Sequence, residues 1–260
     1  MRFNIVCKNK TFVSIITATY NSRSYISETY QSILNQSLVE WEWIVTDDCS
    51  TDGTFEYLKD LACIDDRLVI NRLDVNSGAA VARNNSIALA SGTFIAFVDS
   101  DDVWEENKLK LQTDFMGDDI DFSFTAFKIF EQDGSRKNRT VDATHNIECF
   151  NYKDILAKKA TLGCSTVMIR NNGIFDLTMP NLRTGQDYAL WLKILRNGAK
   201  AHIFKKVLTS YRITPGSISR NKIKKAIRQW SIYRKEEKLN IFQSSYYFVH
   251  YALRAIFRKR

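Results

Sequence analysis

The 260-residue chain holds only two prolines and ten glycines, so no proline-rich linker and no glycine tract divides it. Its three histidines, His145, His202 and His250, stand apart and form no metal-ligand or catalytic cluster. Five cysteines, Cys7, Cys49, Cys63, Cys149 and Cys164, are odd in number and lack metal-ligand spacing. They read as reduced thiols of a cytosolic protein rather than a disulfide framework. No run approaches the roughly 18 uninterrupted apolar residues of a membrane span, and the segment from Met1 to Lys10 lacks the apolar core of a secretory signal. Neither Gly-x-Gly-x-x-Gly after the first strand nor a Gly-Lys-Ser/Thr loop occurs, which leaves dinucleotide and P-loop binding without support. There is no internal repeat.

What is present is a recurring arrangement of apolar run followed by polar cluster. Val13-Ser14-Ile15-Ile16 leads into Thr17 to Asn21, Trp43-Ile44-Val45 into Thr46 to Thr54, and Thr93 to Val98 into Asp99-Ser100-Asp101-Asp102. Short runs rich in β-branched and aromatic residues read as buried strands. Helical patterns separate them: Ile26, Tyr30, Ile33 and Leu34, then Phe55, Leu58 and Leu61, then Ala79, Ala82, Ile87 and Ala90. Strand alternating with helix predicts an α/β fold with a mostly parallel sheet. Ligands of such sheets bind outside the carboxyl ends of the strands, where all three clusters fall. Crowded carboxylates at that edge suit a hard divalent cation completed by substrate phosphates. The plain alternative is an acidic turn and helix cap before Trp104-Glu105-Glu106.

The segments 13–21, 41–54, Asn76-Ser77-Gly78 with Ala82-Arg83-Asn84, and 97–102, in this order, resemble the nucleotide-binding half of family 2 glycosyltransferases. Gly185 to Leu192 resembles that family's acceptor-side motif, and Tyr211-Arg212 with Ser217-Ile218-Ser219 its C-terminal signature. The resemblance covers about residues 12–220. It implies a GT-A fold, a Rossmann-like nucleotide-binding sheet with helices on both faces, over residues 1–219. About 12–115 would form the nucleotide-sugar half and 116–219 the acceptor half, with 220–260 a basic, aromatic helical tail.

Carried over residue by residue, the resemblance places Ala18 and Thr19 against the base. Asp48 would accept from a uracil imide with Asp47 nearby, Asn21 and Ser100 would join the donor site, and Arg83 would support the diphosphate or the acidic loop. Asp99 and Asp101 form the D-x-D pair that meets the donor and a Mn²⁺ or Mg²⁺ ion, Asp102 being a third candidate ligand. Asp187 is the expected general base. Two positions depart from the family's pattern: Cys49 replaces a usual Gly, and Gln186 a usual Glu.

Charge is uneven. Residues 220–260 carry twelve Lys and Arg against two Glu, a local net of +10 in a chain whose total is +8. Interleaved with aromatics, this tail suits an interfacial helix on an anionic membrane surface, or else helices that pack their aromatics on the domain. Nucleic-acid binding has no recognition motif behind it. The polar stretch 132–146 reads first as an ordinary solvated connection, and otherwise as a loop or hairpin bordering the acceptor side.

The expectation is an inverting, metal-dependent transferase that moves a hexose from a UDP-sugar donor to a lipid-linked saccharide acceptor. An undecaprenyl-diphosphate intermediate of O-antigen, lipopolysaccharide or capsule synthesis fits best, with a β-glycosidic product. The enzyme would lie peripherally on the inner face of the cytoplasmic membrane. The alternatives are a catalytically silent nucleotide-sugar binding protein and a basic nucleic-acid-associated protein.

Overall fold

The strand β1 (Val13–Thr19) is buried along nearly its whole length, as befits a β-branched run covered on both faces. This computed structural model describes residues 12–131, 139–213 and 222–257. In it β1 lies parallel between β2 (Trp41–Asp47) and β4 (Phe94–Phe97), with β3 (Leu68–Arg72) outside β2. The crossovers are α1 (Ile26–Leu34), α2 (Thr54–Ala62) and α3 (Ala79–Ala88), the helices predicted from the apolar spacing. Parallel strands joined this way all end on one edge, so the loops after Thr19, Asp47 and Phe97 meet there.

Beyond β4 the sheet changes character. The chain continues through β5 (Val103–Trp104), α4 (Lys108–Met116), β6 (Phe122–Glu131), β7 (Arg139–Val141), β8 (Cys149–Phe150), α5 (Tyr152–Leu156), β9 (Val167–Arg170), α6 (Gln186–Arg196) and β10 (Ala201–Ile213). The sheet order is β3-β2-β1-β4-β9-β6-β10-β5. Because β9 runs antiparallel to both β4 and β6, this half is mixed and only the first four strands are uniformly parallel. Residues 132–138 of the expected polar connection lie outside the described residues, while β7 pairs antiparallel with β6 as one arm of a hairpin. Cys7 and Ser217-Ile218-Ser219 also lie outside them.

Strict alternation divides the core into two layers. Val13, Ile15, Phe94, Ala96 and Val98 face the side covered by α1, α2 and α4, whereas Ile16, Ile95 and Phe97 face α3 and α6. Trp191, fully buried on α6, packs edge-on against Phe97 (ring centroids 5.3 Å) and against Phe122 (5.6 Å). Fully burying an apolar side chain stabilises by about 1.5–3 kcal/mol, and each aromatic pair adds about 0.5–1.5 kcal/mol. The consequence is positional: α6 is pinned to the strand that feeds Asp99.

The C-terminal extension comprises α7 (Lys222–Ser231), a π-helical turn over Ile232–Glu236, and α8 (Ile241–Phe257). Tyr233 is fully buried in the α6 core layer and its hydroxyl donates to the Leu156 carbonyl (2.6 Å). Glu237 accepts from Arg196 (2.8 Å) and from the Tyr152 hydroxyl (2.7 Å). The extension is therefore anchored on the domain as well as solvated. No helix among the described residues is long and apolar enough to cross a membrane, and the four described cysteines are free.

Candidate active site

The first acidic loop is held together by its own chain. Asp47, fully buried, accepts from the Ser50 amide (2.9 Å) and hydroxyl and pairs with Arg72 (3.5 Å). Asp48 accepts the amides of Ser77 (2.6 Å) and Gly78 (2.8 Å) at the start of α3. Gly78 has φ +95°, a conformation side chains resist, which lets its amide turn toward Asp48. Asn21, itself at φ +50°, donates its amide to Ser50 Oγ and accepts the Thr51 amide, both at 2.9 Å. Thr19 is buried beside half-buried Ala18, and its carbonyl accepts the Asp48 amide (2.8 Å). Cys49 adopts φ +65°, which explains why glycine is the residue the resemblance leads one to expect there.

The second acidic loop is built differently. Asp102 is turned into the core, where its carboxylate accepts from Ser165 Oγ (2.5 Å) and the Arg212 amide (2.9 Å). A third candidate ligand by the resemblance, it ties the loop to β10 and to the turn before β9. Arg212 also donates to the Asp101 carbonyl (2.8 Å) and pairs with Glu28. Ser100 shares a hydroxyl hydrogen bond with Ser22 (2.8 Å), joining this loop to the one after β1. Asp99 and Asp101 remain partly exposed toward the cleft. Burial and the neighbouring Asp99 carboxylate push the Asp101 carboxyl up to about 6. Burial, Asp101 and Asp99 drive Asp102 well above the usual carboxylate range.

Asp187 stands in the first turn of α6, after Gly185 at φ +78° and one helical turn before Trp191. Residues four apart share a helix face, so packing Trp191 on Phe97 also directs Asp187 toward the β4 edge. Arg83 of α3 is buried, with Nη2 2.5 Å from Asp99 Oδ1. Burial works against its charge, but the Asp99 and Asp187 carboxylates hold the guanidinium well above its ordinary value. Arg83 Nε and Nη1 have no partner among the described residues. Gln186 is buried with its Oε1 likewise unpartnered.

Two contributors had no sequence signal. Cys164 read as a scattered thiol, yet it is buried, and burial pushes its thiol well up while the Arg83 charge works the other way. Ser165 bonds Asp102 through its hydroxyl, which also accepts the Asp99 amide (3.0 Å). Both sit in a short 3₁₀ turn (Cys164–Thr166) with no motif of its own, more than sixty residues from the loop they support. Arg212 was legible only as part of a terminal signature.

The arrangement fits a divalent cation of the kind that takes one or two carboxylates and completes its shell with phosphate and water. Asp99 and Asp101 crowd each other at a half-exposed edge, and a cation would relieve that repulsion. Among the described residues no group of three or more His, Cys, Asp or Glu forms a self-sufficient metal cage.

Comparison with known proteins agrees with this geometry. The family model described as "Glycosyl transferase family 2" matches residues 14–176. The "putative teichuronic acid biosynthesis glycosyltransferase TuaG" of Bacillus subtilis is 43% identical over 248 residues, 95% of this chain and 97% of its own length. An Escherichia coli protein, "UDP-Glc:alpha-D-GlcNAc-diphosphoundecaprenol beta-1,3-glucosyltransferase WfaP", is 36% identical over 222 residues, 85% of this chain and 84% of its own. Among solved structures, S. aureus TarS 1–349 in complex with UDP-GlcNAc has a TM-score of 0.72 at 22% identity, covering 91% of this chain and 70% of that one. The shared architecture is the GT-A fold.

Proposed function

Given that this chain belongs to glycosyltransferase family 2, and so is a glycosyltransferase, we propose that it transfers a hexose from a UDP-sugar to a lipid-diphosphate-linked saccharide with inversion. The observation that carries this reading is Arg83, buried on α3, paired with Asp99 at the donor edge and under the field of Asp187 on α6. WfaP, by its name, transfers glucose from UDP-glucose to a diphosphoundecaprenol-linked GlcNAc in a β-1,3 linkage, and TuaG is named for teichuronic acid biosynthesis. These names support a β-glycosidic product and a role in O-antigen, capsule or a related bacterial surface polysaccharide.

The roles follow from placement. Asp47 and Asp48 shape the base-binding loop, and Asp48 keeps two carboxylate lone pairs beyond the backbone amides it accepts, enough for a uracil imide. Ala18, Thr19, Asn21 and Ser100 line the junction of the three loops. Arg83 fixes Asp99 and holds a positive charge at the donor edge. Asp187 accepts the proton of an acceptor hydroxyl as that oxygen attacks the anomeric carbon opposite the departing diphosphate, and help of this kind contributes about 10²–10⁴-fold. Mn²⁺ or Mg²⁺ held by Asp99 and Asp101 would supply charge neutralisation for the diphosphate.

The extension supports peripheral attachment to an anionic inner-membrane surface. Phe242, Tyr246, Val249 and Leu253 form an exposed apolar face on α8, Phe242 at 83% exposure, while α7 carries the basic run. An apolar face beside cationic side chains is the composition of an interfacial helix.

The decisive experiment is Asp187→Asn, nearly isosteric but unable to take a proton. Its kcat should fall about 10²–10⁴-fold with UDP affinity close to that of the unaltered chain. Collapse of UDP binding would move Asp187 to the donor site and end this mechanism. A panel of UDP-, GDP- and dTDP-sugars, scored for nucleotide released in the presence of acceptor, tests the donor class.

A further inference from the structure

An open cleft of about 330 Å³ lies between the α6 cap and α7, lined among others by Leu182, Arg183, Thr184, Lys224, Ile227 and Arg228. Three of those side chains are cationic and none of the lining residues is acidic. Its position ties it to the chemistry. Arg228 Cδ comes within 3.0 Å of where a Cβ on Gly185 would lie, and Gly185 caps the helix whose first turn carries Asp187. Arg183 Nη2 donates to Asn76 Oδ1 (2.8 Å), and its other terminal nitrogen lies 3.2 Å from where a Cβ on Gly78 would be. The cleft thus opens between the Asn76–Gly78 loop held by Asp48 and the turn that presents Asp187.

Its chemistry is two-sided. Arg183, Lys224 and Arg228 offer charge-assisted donors, and arginine forks match phosphate oxygens in pairs. Ile227, on the rim, is 65% exposed, and Ile223 one turn earlier on α7 is 73% exposed. A free sugar has little use for a pair of exposed isoleucines beside a cationic pocket. An amphiphile carrying adjacent phosphates and an aliphatic chain uses both.

We infer that this cleft binds the diphosphate of the lipid-linked acceptor, with Arg183, Lys224 and Arg228 on the phosphates and Ile227 and Ile223 against the first isoprenoid units. The inference rests on the acceptor class proposed above. It assigns to α7 the task of placing the acceptor sugar, joined directly to that diphosphate, over Asp187. The basic run then serves as a specificity site of the enzyme in addition to any attraction to the membrane.

Two measurements separate this site from the function it serves. The first is binding of farnesyl diphosphate with the donor site saturated by UDP. Arg183→Gln combined with Lys224→Gln, both at exposed positions, should weaken that binding roughly tenfold or more. Inorganic pyrophosphate should displace the probe far better than glycerol 3-phosphate, which stands for a phospholipid headgroup. Unchanged binding in the variant, or equal competition by the two phosphates, overturns the inference.

The second is transfer to a short-chain prenyl-diphosphate GlcNAc relative to transfer to the octyl glycoside of GlcNAc. The ratio of their kcat/KM values should fall roughly tenfold in the double variant. An equal loss on both acceptors overturns the assignment. If the unaltered protein binds farnesyl diphosphate here yet transfers to neither acceptor, the cleft stands and the proposed reaction fails. Arg228→Lys, which keeps the stem packed on Gly185 and loses the fork, extends the test without emptying that contact.

Discussion

The two acidic loops at the sheet edge are alike in composition and opposite in construction. Around Asp47, Asp48 and Asp52, the carboxylates are supplied with protein donors: Asp52 accepts the Thr54 hydroxyl (2.5 Å) and the amides of Thr54 and Arg23 (3.0 Å each). Burial alone would lift the Asp52 carboxyl, but those bonds outweigh it and hold the group below its ordinary value. At Asp101 and Asp102, burial and repulsion from neighbouring carboxylates win, and Asp101 rises to about 6. A carboxylate already satisfied by its own chain shapes a loop. One left crowded and short of donors is poised for an external cation or phosphate, and this difference separates scaffold from chemistry more sharply than residue type does.

Substitution at the second loop has the largest expected effect. Asp101→Ala should lower turnover by orders of magnitude and weaken UDP-sugar binding in Mn²⁺, yet its Tm in EDTA should be no lower than that of the unaltered chain, since a crowded charge is removed. Full activity of this variant, or of the unaltered enzyme in excess EDTA, removes the metal from the mechanism.

Asp48→Ala should do the reverse to stability. It strips the acceptors from the Ser77 and Gly78 amides, at about 1–3 kcal/mol for each buried donor left unpaired. A drop of several degrees in Tm is expected, and equal thermal effects of the two substitutions would erase the contrast between the loops.

The pH response of the first loop is a finer probe. Because the folded-state value of Asp52 is depressed, its contribution is fully present above about pH 4 and is lost as pH falls through the lower folded value. Asp52→Asn should therefore cost Tm at pH 7 and become indistinguishable from the unaltered chain near pH 2. A constant gap across that range would assign the effect to something other than ionisation. Smallest of all, Cys49→Gly relieves a left-handed position at the cost of unfolded-chain entropy, so unfolding in urea should shift by no more than about 1 kcal/mol, toward stability.

Much of the site was legible because local patterns set it. Apolar runs ending in Asn21, Asp48 and Asp102 announce strands that deliver polar loops to one edge, and alternation of strand and helix makes that edge common to all of them. The resemblance of ordered segments added Arg83 and Asp187, which no local pattern could have joined. What the chain alone left open was which carboxylate faces the cleft. Asp101 and Asp102 are neighbours of identical chemistry, and only Ser165 and the Arg212 amide, arriving from the turn before β9 and from β10, turn Asp102 inward.

By itself, then, the sequence determined the order of elements through β4, the parallel first half of the sheet, the acidic edge and the family, because each depends on periodicity or on contiguous residues. Tertiary structure decided the reversal of β9, the meeting of Arg83 and Ser165 at Asp99, and the division of the extension into a buried Tyr233, a basic α7 and an apolar outer face on α8. Those features arise where side chains distant in sequence compete for the same buried space. Burial changes what a charge or a thiol can do, and no local pattern encodes which residues a fold will bury together.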